Sequence, residues 1–155
     1  NALNLIDFVN SLQLTIDDLE QTGKLGYVEG ISRIFVNALN DLDETERPIH
    51  CTDIKRETVY VKDKDKWELE DKDKTKIKNT IRALEDKNIR SIGEWRQENP
   101  RFEIMDTREN EDYIQTTLNS LPNESKQESE KEQDRIIKNV LKEVVVEKKK
   151  MEICN

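Results

Sequence analysis

His50 and Cys51 are the one adjacent pair in this chain with the side-chain types of a thiol nucleophile and an imidazole base, and His50 is the only histidine. Such a pair works when the base lies within hydrogen-bond reach of the thiol. Neighbours on an extended strand project to opposite faces, so this spacing keeps the two groups apart. Adding Asp53 gives three potential metal ligands, one short of a structural zinc set and without Cys-x-x-Cys pairing. Asp63-x-Asp65-x-Trp67 opens like a calcium loop. Trp67, Glu68 and Lys74 then stand where an oxygen ligand, the turn glycine and the bidentate glutamate belong. The four glycines form no phosphate-cradling motif. The carboxylates alternate with lysines rather than sitting in apolar surroundings that would tune an acid–base pair. The expected sets of catalytic residues, metals and cofactors are therefore all empty, and the chain reads as a non-enzyme.

The remaining chemistry is cationic. Lys74, Lys78 and Arg82 recur at i, i+4 and i+8, which places them on one stripe of a helix beside the apolar row Ile77, Ile81 and Leu84. Arg47, Lys55 and Arg56 precede a strand pair whose tip carries Lys62, Lys64 and Lys66. Flexible cations on one surface are what a phosphate backbone needs. Arg47, Lys55, Arg56, Lys74, Lys78 and Arg82 are accordingly the expected contacts if the chain binds DNA. Asp63, Asp65, Asp71 and Asp73 interleave with them and cancel part of the field.

The charge distribution agrees. The chain has 155 residues and a net charge of −8. Residues 1–46 hold nine acids against two bases, residues 47–101 twelve against fifteen, and residues 102–155 thirteen against nine. Only the middle third would welcome a polyanion. Aromatic residues are 5%, too few for a base-stacking platform. The longest apolar run is Val144-Val145-Val146, so no spanning segment is expected. Cys51 and Cys154 read as free thiols of a reducing compartment.

The elements that must position these residues follow from periodicity. Leu5, Phe8, Val9 and Leu12 predict a helix over 2–13. Thr15 is its successor's N-cap, with a short helix 16–21 that Gly23-Lys24-Leu25-Gly26 breaks. Tyr27, Ile31, Ile34, Phe35, Ala38, Leu39 and Leu42 predict a long central helix over 27–43. Pro48 closes that unit. Thr58–Val61 and Trp67–Leu69 read as strands of a hairpin, and Ile49–Cys51 as a possible third. Tyr60, Val59, Val61, Trp67 and Leu69 are expected to tie the hairpin to the central helix. A fourth helix spans about 73–87. Ser91 to Glu94 reads as a capping box for a short helix ending before Pro100. Tyr113, Ile114, Thr117, Leu118 and Leu121 predict a sixth helix. Ile136, Ile137, Val140, Leu141, Val144 and Val145 predict a final one, with Lys148–Lys150 at its negative end.

The fold class expected is mainly α, with six or seven helices and a small β-hairpin, in a winged-helix-like order. Residues 1–100 would form the core domain and 101–155 a C-terminal helical extension. The second helix of the winged-helix reading would expose Glu29, Ser32, Arg33, Asn37, Asn40, Asp41 and Asp43, a poor set for reading base edges. The apolar helices after residue 105 offer surfaces for partner docking or self-association.

Arg47–Trp67 (RPIHCTDIKRETVYVKDKDKW), Ile89–Trp95 (IRSIGEW) and Ile136–Val145 (IIKNVLKEVV) together resemble an uncharacterised protein family of giant DNA viruses of the mimivirus type. The resemblance covers most of the chain, and its first motif is the most specific. It implies a C-terminal module preceded by a zinc-finger or coiled-coil segment, and the asparagine start agrees with an excised fragment. It also implies a viral protein of the host cytoplasm, in the viral factory, or of the virion. It carries no catalytic residue to this sequence. The expectation is a non-enzymatic assembly or adaptor module that binds viral or host proteins, or a second copy of itself as a dimer, and no membrane; the alternative is a winged-helix-like nucleic-acid-binding domain.

Overall fold

A computed structural model describes the backbone of residues 1–154 and the side chains of residues 1–151. Cys154, expected as a free thiol, has its side chain outside the described residues. The chain is mainly helical with one small antiparallel sheet. In order it runs α1 (Leu5–Ser11), α2 (Ile16–Leu25), α3 (Tyr27–Asn40), β1 (Ile49–Asp53), β2 (Thr58–Asp63), β3 (Lys66–Leu69), α4 (Thr75–Arg90), α5 (Ile92–Glu98), α6 (Arg108–Asn119), α7 (Lys126–Leu141) and α8 (Lys148–Cys154).

The strong apolar stripe of α3 becomes the centre of the molecule. Ile31, Phe35 and Leu39 are fully buried. Helices α2, α4 and α7 pack around α3. Ile77, Ile81 and Leu84 of α4 join the same cluster, as do Val59 and Val61 of β2. Alternation within β2 sends Tyr60 to the other face, where it is half-buried. Leu69, expected to help tie the sheet down, is instead 61% exposed. It lies on the edge strand β3, beyond the reach of the core.

The core also crosses the expected boundary at residue 100. Ile136, Ile137, Val140 and Leu141 of α7 are buried in the same cluster as Phe8, Ile31 and Ile77. Helix α7 lies along α3, so it is a core element rather than part of an extension.

Three local expectations are corrected. Helix α2 runs through Gly23 to Leu25 and stops at Gly26, whose φ of 92° favours glycine. Gly23 stays helical because it is a packing window. A Cβ there would sit 2.5 Å from Thr116 Oγ1 on α6. Second, the Ser91 capping box does not form. Ser91 has helical dihedrals (φ −68°, ψ −9°) as the C-cap of α4, and its side chain caps nothing. Third, α7 ends at Leu141, so Val144 and Val145 are not helical. Cys51 N donates to Val144 O at 2.8 Å, and Val146 N donates to Cys51 O at 2.8 Å. This parallel bridge covers the outer edge of β1. Val144 and Val146 turn inward while Val145 is 51% exposed, the alternation of a strand. Lys148–Lys150 therefore open α8 instead of ending α7.

The hairpin between β2 and β3 turns on Lys64 and Asp65, both at positive φ. That is the geometry of a two-residue type I′ turn, normally the place of Asn-Gly. Here the Asn4 side-chain amide holds it. Asn4 Nδ2 donates to Asp65 Oδ1 at 3.0 Å, and Asp65 N donates to Asn4 Oδ1 at 2.7 Å.

Candidate functional site

The basic residues singled out in the sequence are only partly brought together. Arg47 points inward. Its Nε donates to Leu39 O and an Nη donates to Glu143 O, each at 3.0 Å. It staples the end of α3 to the segment after α7, at the opposite end of β1 from the other cations. Lys55 and Arg56 sit in the β1–β2 turn and are exposed. Arg56 lies 3.8 Å from Asp53. Lys74 pairs with Glu57 of that turn at 3.0 Å, and only 17% of its side chain is exposed. This pair joins the turn to the start of α4; with Arg56 and Lys74 ion-paired and Arg47 tied to carbonyls, Lys55, Lys78 and Arg82 are what remains of the six. Arg82 donates to Asn79 Oδ1.

Helix α4 begins on borrowed caps. Lys74, at its N-cap, is left-handed (φ 55°) and caps with no side chain. Asp71 Oδ1 accepts from Thr75 N at 3.1 Å, and Glu70 Oε2 from Ile77 N at 3.0 Å. Backbone and side-chain bonds to Thr75 hold the Asp71 carboxyl below the usual range. Lys76 donates to Asp63 at 2.8 Å and to Glu68, and its ammonium pKa is raised by both bonds.

Helix α3 offers no groove-reading face. Ser32, expected to be exposed, is buried and accepts from Asn139 Nδ2 at 3.1 Å. Arg33 is engaged with Asp18 at 3.0 Å and Asp17 at 3.5 Å. Only Glu29, Asn37 and Asn40 of the helix are exposed.

Cys51 and His50 diverge as strand geometry requires. Cys51 is a free thiol, fully buried in the core, and burial pushes its pKa up. His50 faces the other way and stacks on Trp67 (centroids 4.9 Å apart, interplanar angle 27°). Burial holds its pKa below the ordinary value, so the imidazole is neutral at pH 7. A thiol and imidazole on opposite faces cannot act as nucleophile and base. No group of three or more His, Cys, Asp or Glu side chains converges as metal ligands among the described residues. None of the helices there is long and apolar enough to cross a membrane.

Among the exposed apolar side chains of the described residues, one group gathers on and just after α6. Thr107 caps the helix, accepting from Asn110 N at 3.1 Å. Its small polar residues face inward. Thr116 presses on Gly23, Ser120 Oγ donates to Thr116 O at 2.7 Å, and Asn119 Nδ2 donates to Gly23 O at 2.8 Å. Seating that face on α2 turns the opposite one outward. Ile114 is 50%, Leu118 67% and Leu121 44% exposed. Ile114 and Leu118 lie one turn apart on α6, and Leu121 follows just past its end. Leu118, Leu121 and Pro122 meet Tyr27 around a shallow depression of about 430 Å³, rimmed by Glu124 and Glu132. Glu111 and Asp112 add exposed acids along the helix. Beneath the rim, Tyr27 donates to Glu85, and burial raises both pKa values.

Comparison of the chain with family models, curated proteins and solved structures gave no match.

Proposed function

We propose that this chain is a non-enzymatic interaction module that docks a protein partner on the exposed face of α6. The observation that carries the reading is the apolar group Ile114, Leu118 and Leu121 standing in solvent beside an acidic rim. A run of large apolar side chains left uncovered on an otherwise charge-rich surface marks an interaction site. The rim selects the partner's chemistry. Glu111, Asp112, Glu124 and Glu132 favour a segment that presents apolar side chains flanked by lysine or arginine. The giant-virus resemblance implies that such partners are viral or host proteins.

The nucleic-acid reading is the weaker one. Arg47, Arg56 and Lys74 already contact groups of the chain itself. With Lys55, Lys78 and Arg82 remaining, log K would fall with log salt at a total slope of only about −2.7, from roughly −0.9 for each contact.

The test is a photo-crosslinker placed at position 118, with a second at the equally exposed Ile6 as control. The expected product is a protein whose crosslinked segment is apolar and basic, captured from position 118 alone. Leu118→Glu should abolish its binding, and Glu124→Lys, at an exposed side chain, should weaken it at least about threefold. Undiminished binding by these variants would refute the docking face. Loss of binding on changing Lys55, Lys78 and Arg82 instead would favour the polyanion.

A further inference from the structure

A second cavity, of about 740 Å³, shares no lining residue with the α6 depression and is bordered by β1, the β2–β3 hairpin and α8. Its volume falls in the range of about 300–1,000 Å³ typical of small-molecule pockets. His50 and Trp67 give it a stacked aromatic wall, and Val146 and Met151 an apolar one. The 144–146 bridge to Cys51 and the Lys150–Glu44 ion pair at 2.9 Å hold the far side in place.

His50 is 5% exposed, and its Nδ1 has no hydrogen-bond partner. An apolar residue would fill this position without stranding a polar atom. Trp67, stacked on this imidazole, offers the cavity an aromatic face against which a second ring can pack. The charges around it do not cancel. Lys62, Lys66 and Lys150 line the cavity against Glu44 and Asp65. Glu44 is engaged by Lys150, and Asp65 accepts from Asn4. Lys62 gives one of its three protons to Ala2 O at 2.8 Å. Lys66 makes no ion pair among the described residues. With Lys150 matched to Glu44, Lys62 and Lys66 face the single carboxylate of Asp65, which leaves one positive charge in excess, and Lys62 stands across from Trp67 in the β2–β3 pairing.

We propose that this cavity binds a small aromatic anion, a planar ring bearing one phosphate or carboxylate, with the ring against the His50–Trp67 wall and the charge at Lys62 and Lys66. This site is separate from the α6 face, so either can fail without the other.

The chain supplies its own reporters. His50 is the only histidine, and Trp67 and Trp95 are the two tryptophans. Trp95 is buried against Tyr113, remote from the cavity lining, and controls for general effects. The experiment titrates the full chain with AMP, benzoate, adenosine and inorganic phosphate, following the His50 ring and both indole N–H signals by NMR. Saturable shifts of His50 and Trp67 are expected with AMP or benzoate, with Trp95 unmoved and Kd below about 1 mM. Binding of AMP alone assigns a phosphate, and of benzoate alone a carboxylate. Adenosine and inorganic phosphate should bind at least about tenfold more weakly than AMP when the phosphate form is right. Lys66→Glu, an exposed change at the hairpin, should weaken the charged probe at least about threefold. Absence of saturable shifts with both AMP and benzoate overturns the proposal. So do equal movement of Trp95 and undiminished binding by Lys66→Glu.

Discussion

Gly30→Ala tests the helix packing that places both surfaces. Gly30 lies in α3 where it crosses α2, and an added Cβ would stand 2.7 Å from Thr22 Cα and 2.6 Å from Thr22 Cγ2. Ordinary contact begins at 3.4 Å, so the two helices must part by about 0.7 Å. A backbone atom cannot rotate away. Parting them strains the bond from Asn88 Nδ2 to Thr22 Oγ1, now 3.1 Å and buried. Alanine gains about 1 kcal/mol of helix propensity over glycine. Overpacking a tight contact costs about 1–3 kcal/mol, and the weakened hydrogen bond adds about 1 kcal/mol. The net expectation is a destabilisation of about 2 kcal/mol, or about 4–8 °C in melting temperature for a chain of this size. Gly93→Ala is the control. It too is helical, in the first turn of α5, but nothing lies within 4 Å of its Cβ. That variant should gain about 0.5–1 kcal/mol. Gly23→Ala falls between them, because its nearest obstacle at 2.5 Å is the Thr116 hydroxyl rather than backbone. Thr116→Ala should rescue it, with a coupling of about 1 kcal/mol in a double-mutant cycle. Urea unfolding of the variants measures all of this. If Gly30→Ala stabilises the chain as Gly93→Ala does, the close crossing of α2 and α3 is wrong.

Arg47→Ala removes both donors to Leu39 O and Glu143 O and should cost about 2 kcal/mol; Arg47→Lys, with a single ammonium, should restore only part in the same denaturation assay. Cys51, in a Cys154→Ser background, should react with a thiol reagent about a thousandfold more slowly folded than in denaturant, since it is reached only through opening; labelling at the free-thiol rate would contradict its burial. Glu85 is held above its ordinary carboxyl value of 4.5 by burial, so the folded chain keeps that proton more tightly than the unfolded one. Its contribution is complete below 4.5 and is lost as pH rises through the raised folded value. The stability of the natural chain relative to Glu85→Gln should therefore fall across that window in unfolding curves taken at a series of pH values, and a difference that grows with pH would reverse the sign.

The strong helices were legible because their burial and their period coincide. Ile31, Ile34, Phe35 and Leu39 repeat at helical spacing and are all buried, so α3 follows from pattern alone. The strands were legible for the same reason, with Val59 and Val61 alternating inward. What the pattern hides is competition between two valid readings. Val144 and Val145 continue the stripe of α7, yet they are also β-branched, and the outer edge of β1 takes Val144 and Val146 as a strand. That choice depends on a residue about 90 positions away. Gly23 read as a breaker because glycine disfavours helices, and only the approach of Thr116 shows why it is kept inside one. Ser91 to Glu94 fits the capping-box pattern, but Ser91 is already committed to the end of α4. At the sites, the pattern showed which cations lie on one stripe of α4 but not that Arg47 turns inward to carbonyls. The exposed leucines of α6 were readable as a helix; that they face solvent depends on which side α2 accepts. His50 was weighed as a base beside Cys51, and its stacking on Trp67 has no signal in sequence spacing.

The bridge from Cys51 to Val144 and Val146 also orders events during synthesis. The ribosome releases β1 long before the segment that covers it, roughly 5–20 s at ordinary elongation rates. Through that interval the strand presents bare amides and carbonyls, a template on which neighbouring nascent chains can stack. Crowded polysomes would therefore feel this edge first, and a fragment ending before Val144 should precipitate where the longer chain stays dispersed.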